Sequence, residues 1–262
     1  MNRANEAGRG GKAADELVFA HDVNLGFPTD ESDWAAFFAE HEWRTAKYED
    51  MGKLTETLRS HAAAASLLPA ANYYFLRDDP FYSGFASALA MKTGRTTVDS
   101  VLIVPKSSEA ESIVDLKGKR LGYINVYCTT SYFSPAILLA EHGVPFAGYF
   151  SSMKPVSAWQ RQIDALVAGE IDATMVEEGI WRSNPANAAA TKIIGRIERL
   201  PGPVVILAET VDPAFASAFL ARLLATRTAR AGQPFAGYAP YCVNEVQDFF
   251  DRSARAFSLV AA

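Results

Sequence analysis

The pentapeptide Cys128-Thr129-Thr130-Ser131-Tyr132 places a thiol, three hydroxyls and a phenol on consecutive positions. It follows an apolar run, Leu121–Val126, that reads as a strand, and it opens Tyr132–Glu141, which reads as a helix. The first turn of a helix carries unpaired N–H groups and a partial positive charge, so hydroxyls gathered there suit an anion or another polar ligand. Hydroxyls also cap helices for purely structural reasons, and the loop alone leaves both readings open. A helix start is also a setting that activates a thiol, which makes Cys128 a candidate nucleophile. No histidine is identifiable as its partner. His41, His61 and His142 fall in or beside predicted helices at no ligand spacing, and only His21 ends a strand on the side where ligands bind.

These residues need elements to hold them. Leu17–His21, Trp43–Tyr48 and Ala64–Leu68 read as strands, alternating with helices over Asp33–His41 and Met51–His61. Residues 1–14 are polar and glycine-rich and read as disordered. Asp78–Lys92 is aromatic and irregular and reads as a loop and helix. Thr96–Val104 and Val204–Leu207 read as two crossover strands between lobes. The intervening segment holds strands at Leu121–Val126, near Tyr149–Ser151 and at Ala173–Val176, with helices over Ala158–Ala168 and about Gly179–Ser183. Pro213–Ala229 and Val243–Phe257 read as closing helices. Strand–helix alternation implies α/β architecture with mainly parallel sheets, whose ligands sit beyond the carboxyl ends of the strands. The loops Asn24–Phe27, Tyr48–Asp50 and Pro69–Tyr73 lie at such ends.

Composition narrows the function. The chain has 262 residues, 49% hydrophobic and 21% charged, with a net charge of −5, so no basic face argues for nucleic acid or an anionic membrane. No apolar run of about 18 residues is present to insert into a membrane. The two cysteines, Cys128 and Cys242, match no metal spacing and read as separate thiols. No dinucleotide, phosphate-loop, nucleophile-elbow or zinc motif appears, so neither a cofactor nor a metal is expected.

Four stretches carry a family resemblance: Asp115-Leu116-Lys117-Gly118-Lys119-Arg120, the Cys128–Tyr132 loop with Pro135, Ala165–Ala173, and Pro201-Gly202-Pro203-Val204-Val205. Together, over roughly residues 17–245, the chain resembles type II periplasmic solute-binding proteins, most closely the phosphonate/phosphite/phosphate-binding family of ABC importers. The resemblance implies two lobes joined by two crossovers, with lobe one at 15–100 plus 207–262 and lobe two at 101–206. It also implies ligand contacts from Cys128, Thr129, Thr130, Ser131 and Tyr132, and from Tyr48 and Tyr73 in the loops after strands two and three. Where the family often has a histidine, this chain has Trp159, which offers one N–H donor and a large apolar face. Glu177, at the end of Ala173–Val176, falls where the family commonly carries a residue facing a ligand amine. Paired with Glu178, it reads equally as a solvated helix start.

The leading expectation is a monomeric solute-binding protein that closes over a small organic or phosphonate-like ligand and delivers it to an ABC permease. The alternatives are a cytoplasmic enzyme on the same fold, of pyrimidine-precursor or menaquinone-pathway type, and a ligand sensor. The first sixteen residues contain no signal-peptide core. The expected location is therefore periplasmic if a leader has been removed and cytoplasmic otherwise.

Overall fold

The computed structural model describes residues 17–22, 25, 34, 38, 43–90, 93–226 and 235–260. The segment 1–14 and most of the Asn24–Phe27 loop and the Asp33–His41 helix lie outside the described residues. Leu17–Asp22 (β1), Trp43–Tyr48 (β2) and Ala65–Leu68 (β3) form strands, with β1 parallel to both others. Between β2 and β3 runs helix α1 (Met51–Arg59), whose Met51, Leu54, Thr55 and Leu58 give the i, i+3, i+4, i+7 buried stripe of an amphipathic helix. Asp50 caps it by accepting from the N–H groups of Gly52 and Lys53. Pro69 ends β3 and leads into the short helix α2 (Ala70–Tyr74), whose residues are all buried.

Tyr82–Ala90 (β4), Val204–Ala208 (β10) and Phe235–Pro240 (β11) complete the first sheet in the order β11-β4-β10-β3-β1-β2. The second sheet, β7-β6-β8-β5-β9, comprises Ser152–Pro155, Arg120–Tyr123, Ala173–Glu177, Thr97–Pro105 and Thr191–Pro201. Both sheets are mixed. The strand–helix portions pair in parallel, as the alternation predicts, while β4, β10 and β11 in one sheet, and β5 and β9 in the other, pair antiparallel.

Among the described strands, the chain passes between sheets twice, from β4 to β5 and from β9 to β10. The segments that cross are shorter than the sequence suggests, because Thr97–Pro105 and Val204–Ala208 are full members of their sheets. The crossings run side by side, with Gly202 N–H donating to Thr96 O at 2.9 Å and Ala88 N–H to Pro203 O at 2.9 Å. Asp78–Lys92 is not a loop and helix: Tyr82–Ala90 is a nine-residue strand. Gly84 and the small residues Ser83, Ala86, Ser87 and Ala88 gave that strand no helix or strand period to read. Their smallness has a use, since a Cβ on Gly84 would lie 2.2 Å from the Tyr241 ring that covers it.

Two strands went unread. In β9 charged and apolar residues are half-buried alike along the sheet's edge, and β11 is six residues ending in proline. The strand expected at Leu121–Val126 stops at Tyr123, and the one near Tyr149–Ser151 begins at Ser152.

Five further helices cover the sheets: α3 (Ser134–Glu141), α4 (Trp159–Val167), α5 (Glu178–Arg182), α6 (Pro185–Ala190) and α7 (Pro213–Ala225). The last, α8 (Val243–Ser258), packs against α3 and β9. Its Phe249 and Phe257 meet Phe133 at ring-centroid distances of 5.5 and 5.0 Å. Phe133 also meets Tyr74 at 5.5 Å and Phe75 at 5.9 Å, so one aromatic cluster joins α2, α8 and the segment before α3.

Candidate functional site

Between β6 and α3 the chain makes one wide π-helical turn, Thr129–Phe133, rather than entering an α-helix at Tyr132. Cys128 O accepts from both Tyr132 N–H (3.1 Å) and Phe133 N–H (3.2 Å), and the second bond spans five residues. Pro135 in the first turn of α3 needs no hydrogen-bond partner for its nitrogen, which suits this entry. The turn places Thr129, Thr130 and Ser131 side by side, all buried.

Each hydroxyl oxygen accepts from an N–H supplied by a different element. Ala71 N–H, in the first turn of α2, donates to Thr129 Oγ1 at 3.2 Å. The Trp159 indole N–H, at the start of α4, donates to Thr130 Oγ1 at 3.1 Å. Ile124 N–H, just past β6, donates to Ser131 Oγ at 2.9 Å. A hydroxyl has one donor and two acceptor positions, so each of these three retains its own hydrogen for a further acceptor. The sulfur of Cys128 lies 3.4 Å from Thr130 Oγ1 and accepts from Ser131 N–H at 3.4 Å, as a weak partner. Among the described residues, no lysine or arginine hydrogen-bonds to these hydroxyls. The arrangement is a set of neutral O–H donors at the carboxyl end of β6.

The bond from Ala71 to Thr129 spans the two sheets' halves of the molecule. A second contact lies beside it. The Tyr127 ring sits 5.3 Å from Phe75, and its hydroxyl lies 3.7 Å from where a Cβ on Gly52 would be, at the start of α1. Sequence reasoning singled out the Pro69–Tyr73 loop but not the Ala71 N–H within it, and it missed Tyr127. Pro69, which marks the start of α2, was the available signal for Ala71; nothing distinguished Tyr127 from a strand-end core aromatic.

The other expected residues are distributed as follows. Cys128, Thr129, Thr130, Ser131 and Trp159 are brought together. The Tyr48 hydroxyl accepts from Thr57 Oγ1 at 3.0 Å, at the end of β2. Tyr73 is buried against Phe250 and Tyr241, with centroids 5.5 and 6.4 Å away, and burial raises its phenol's pKa. Tyr132 turns away from the hydroxyls, toward Tyr123, Phe146 and Phe257, and burial raises its pKa too. His21 is fully buried and lies about 6 Å by centroid from Phe19 and Trp34, in the core of the first sheet.

Glu177 ends β8, paired across the ladder with Ser100. Its neighbour Glu178 is the more buried of the two. Arg196 grips Glu178 with both guanidinium nitrogens, one of them 2.8 Å from Oε1, and Arg182 adds a bond at 2.7 Å. The hydrogen bonds from Arg196, joined by those from Arg182, hold the Glu178 carboxyl below the ordinary glutamate range. Its negative charge is thus neutralised within the protein.

A hollow of about 390 Å³ lies by the crossings, lined by Leu89, Arg95, Thr96, Arg199 and Glu245 among others, and another of about 560 Å³ lies near Ser107, Lys119 and Asp172. Neither includes an expected site residue. Both cysteines are free thiols, and among the described residues no cluster of three or more His, Cys, Asp or Glu could hold a metal ion. No described helix is long and apolar enough to cross a membrane.

The profile of a family described as ABC transporter, phosphonate, periplasmic substrate-binding protein matches residues 44–238. No curated protein sequence matches the chain. Among solved structures it is similar to a Xanthomonas citri protein bound to chloride ion, at 16% identity and a TM-score of 0.75, covering 94% of this chain and 100% of that one. It is also similar to PhnD1 from Prochlorococcus marinus in complex with methylphosphonate, at 10% identity and a TM-score of 0.69, covering 92% and 98%. A third is a binding-protein component of an ABC phosphonate transporter from Pseudomonas aeruginosa, at 14% identity and a TM-score of 0.64, covering 94% and 91%. At these identities the structures establish the shared two-lobed fold.

Proposed function

The chain belongs to the phosphonate-binding family of periplasmic substrate-binding proteins of ABC transporters, and we propose that its own ligand is a small organic oxyanion, of phosphonate type, held by the Thr129–Ser131 hydroxyls. The family's role is solute binding and not catalysis, so Cys128 is a site-wall thiol in this account and not a nucleophile. The observation that carries the proposal is the hydroxyl arrangement. Three buried hydroxyls, each already accepting an N–H, each keep a hydrogen to donate, and a tetrahedral oxyanion offers only acceptors when fully ionised.

The lobes that close over the ligand are residues 15–100 with 207–242, and 101–206 joined by α8, which packs against α3 and β9. Closure follows if the ligand touches both, because it then binds the closed form more tightly than the open one. The Ala71–Thr129 bond already links them at the site. The indole of Trp159 fills space where the resemblance expects a histidine, which favours an organic substituent over inorganic phosphate. The partner is the permease of an ABC importer, the working location is the periplasm, and the binding unit is a monomer.

A thermal-shift series with methylphosphonate, inorganic phosphate and methylsulfonate tests this reading. A ligand at a hundredfold excess over its Kd stabilises the native state by about 2.7 kcal/mol. Methylphosphonate is expected to raise the midpoint most. No shift with any of the three would overturn the oxyanion assignment.

A further inference from the structure

We infer that Trp159 is a positioning residue for ligand selection, acting through Thr130 rather than by touching the ligand. The inference rests on the oxyanion reading above and deepens it. Trp159 is the first residue of α4, and its ring is half-buried against the cluster of Val101, Ile103, Ile163 and Leu166. That packing fixes the direction of the indole N–H, which ends on Thr130 Oγ1 at 3.1 Å.

Indole nitrogen donates and never accepts. Thr130 Oγ1 must therefore use a lone pair toward Trp159 and send its hydrogen elsewhere. The backbone oxygen of Thr130 is itself occupied by Ser100 Oγ–H at 3.3 Å, which steadies the turn behind the side chain. The remaining neighbour is the Cys128 sulfur at 3.4 Å, a weak hydrogen-bond partner that a charged oxygen displaces readily. Thr130 is 4% exposed, so water cannot easily substitute for either partner.

The consequence is selectivity. A free threonine hydroxyl rotates to donate or accept and tolerates a ligand hydroxyl or amide N–H. With one lone pair engaged by Trp159 and the Cys128 sulfur beside the same oxygen, Thr130 is biased toward presenting its hydrogen, and the site disfavours ligands that place a donor at that point. Phosphonate or sulfonate oxygens meet the requirement, whereas an amide nitrogen or ammonium does not.

The test is a double-mutant cycle read by calorimetric titration with methylphosphonate. Trp159→Phe keeps a ring and removes only the N–H, so binding is expected to weaken roughly threefold to tenfold. Trp159→His, which restores an N–H at the ring edge, should recover to within about twofold of the unmodified protein. In a Thr130→Val background, Trp159→Phe should cause no further loss, because the two residues act as one unit. Ligand-free thermal midpoints of the Phe and His variants, measured alongside, separate folding from binding.

Independent, additive losses from Trp159→Phe and Thr130→Val would overturn the inference, as would unchanged affinity in a folded Trp159→Phe protein. If Trp159→Phe fails to fold, the His variant alone decides: affinity within twofold supports the role, and a tenfold loss in a folded protein refutes it. Absence of binding to the unmodified protein would instead overturn the oxyanion reading itself.

Discussion

Replacing Thr129 by valine removes the one oxygen that receives Ala71 N–H, while keeping the side chain's shape. Ala71 is fully buried, so in the closed arrangement its N–H would be left without a partner. An unsatisfied buried N–H costs about 1–3 kcal/mol. That penalty applies only while the lobes touch, since opening returns Ala71 N–H to water at the cleft. The closed population should therefore fall by roughly 5- to 150-fold relative to the open one, and apparent ligand affinity should fall by the same factor once the open form dominates. Small-angle scattering without ligand should report a larger radius of gyration for Thr129→Val than for the unmodified protein, with Thr129→Ser close to the latter. The Thr129→Val change also deletes a proposed ligand contact, so the ligand-free measurement is the decisive one. An identical radius for both proteins would refute the reasoning that this bond helps hold the lobes together.

Two further outcomes follow from the described contacts. Phe133 is fully buried among Tyr74, Phe75, Phe249 and Phe257, so Phe133→Ala should lower unfolding free energy by about 3–5 kcal/mol in urea titrations; a loss under 1 kcal/mol would mean the cluster relaxes to fill the space. The Glu178 carboxyl is held by Arg196 below its ordinary value of 4.5, so its contribution is fully present above that pH and lost as pH falls through the lowered native value. Glu178→Gln should therefore be less stable than the unmodified protein at pH 7, with the gap narrowing below pH 4.5, and a pH-independent gap would contradict the ion-pair account.

The sequence disclosed what depends on local pattern. Strand β2 falls on the expected Trp43–Tyr48, and α1 and α8 show the amphipathic spacing that brackets their buried faces. Strands β4, β9 and β11 were illegible because their neighbours, and not their own alternation, bury them: β4 lies between β10 and β11, and β9 forms the sheet's edge. The site shows the same division. Cys128–Ser131 stood out as a hydroxyl run, and Trp159 through its departure from the family's histidine. The Ala71 donor is a backbone group, and its role depends on α2 and the π-turn meeting across residues 58 apart in sequence. Glu178 and Arg196 were invisible as a pair because β9 was unread. Tyr73 and Tyr132, expected at the ligand by motif position, pack where their rings are covered by Phe250 and Phe257.

The central claim is that the Thr129–Ser131 hydroxyls receive the oxyanion. A crystal structure of the protein with methylphosphonate tests it most directly. The account predicts phosphonate oxygens about 2.5–2.7 Å from the hydroxyl oxygens of Thr129, Thr130 and Ser131, the spacing of O–H donors to a charged oxygen. Methylphosphonate bound instead between Arg95 and Arg199 by the crossings, with the hydroxyl turn untouched, would contradict it.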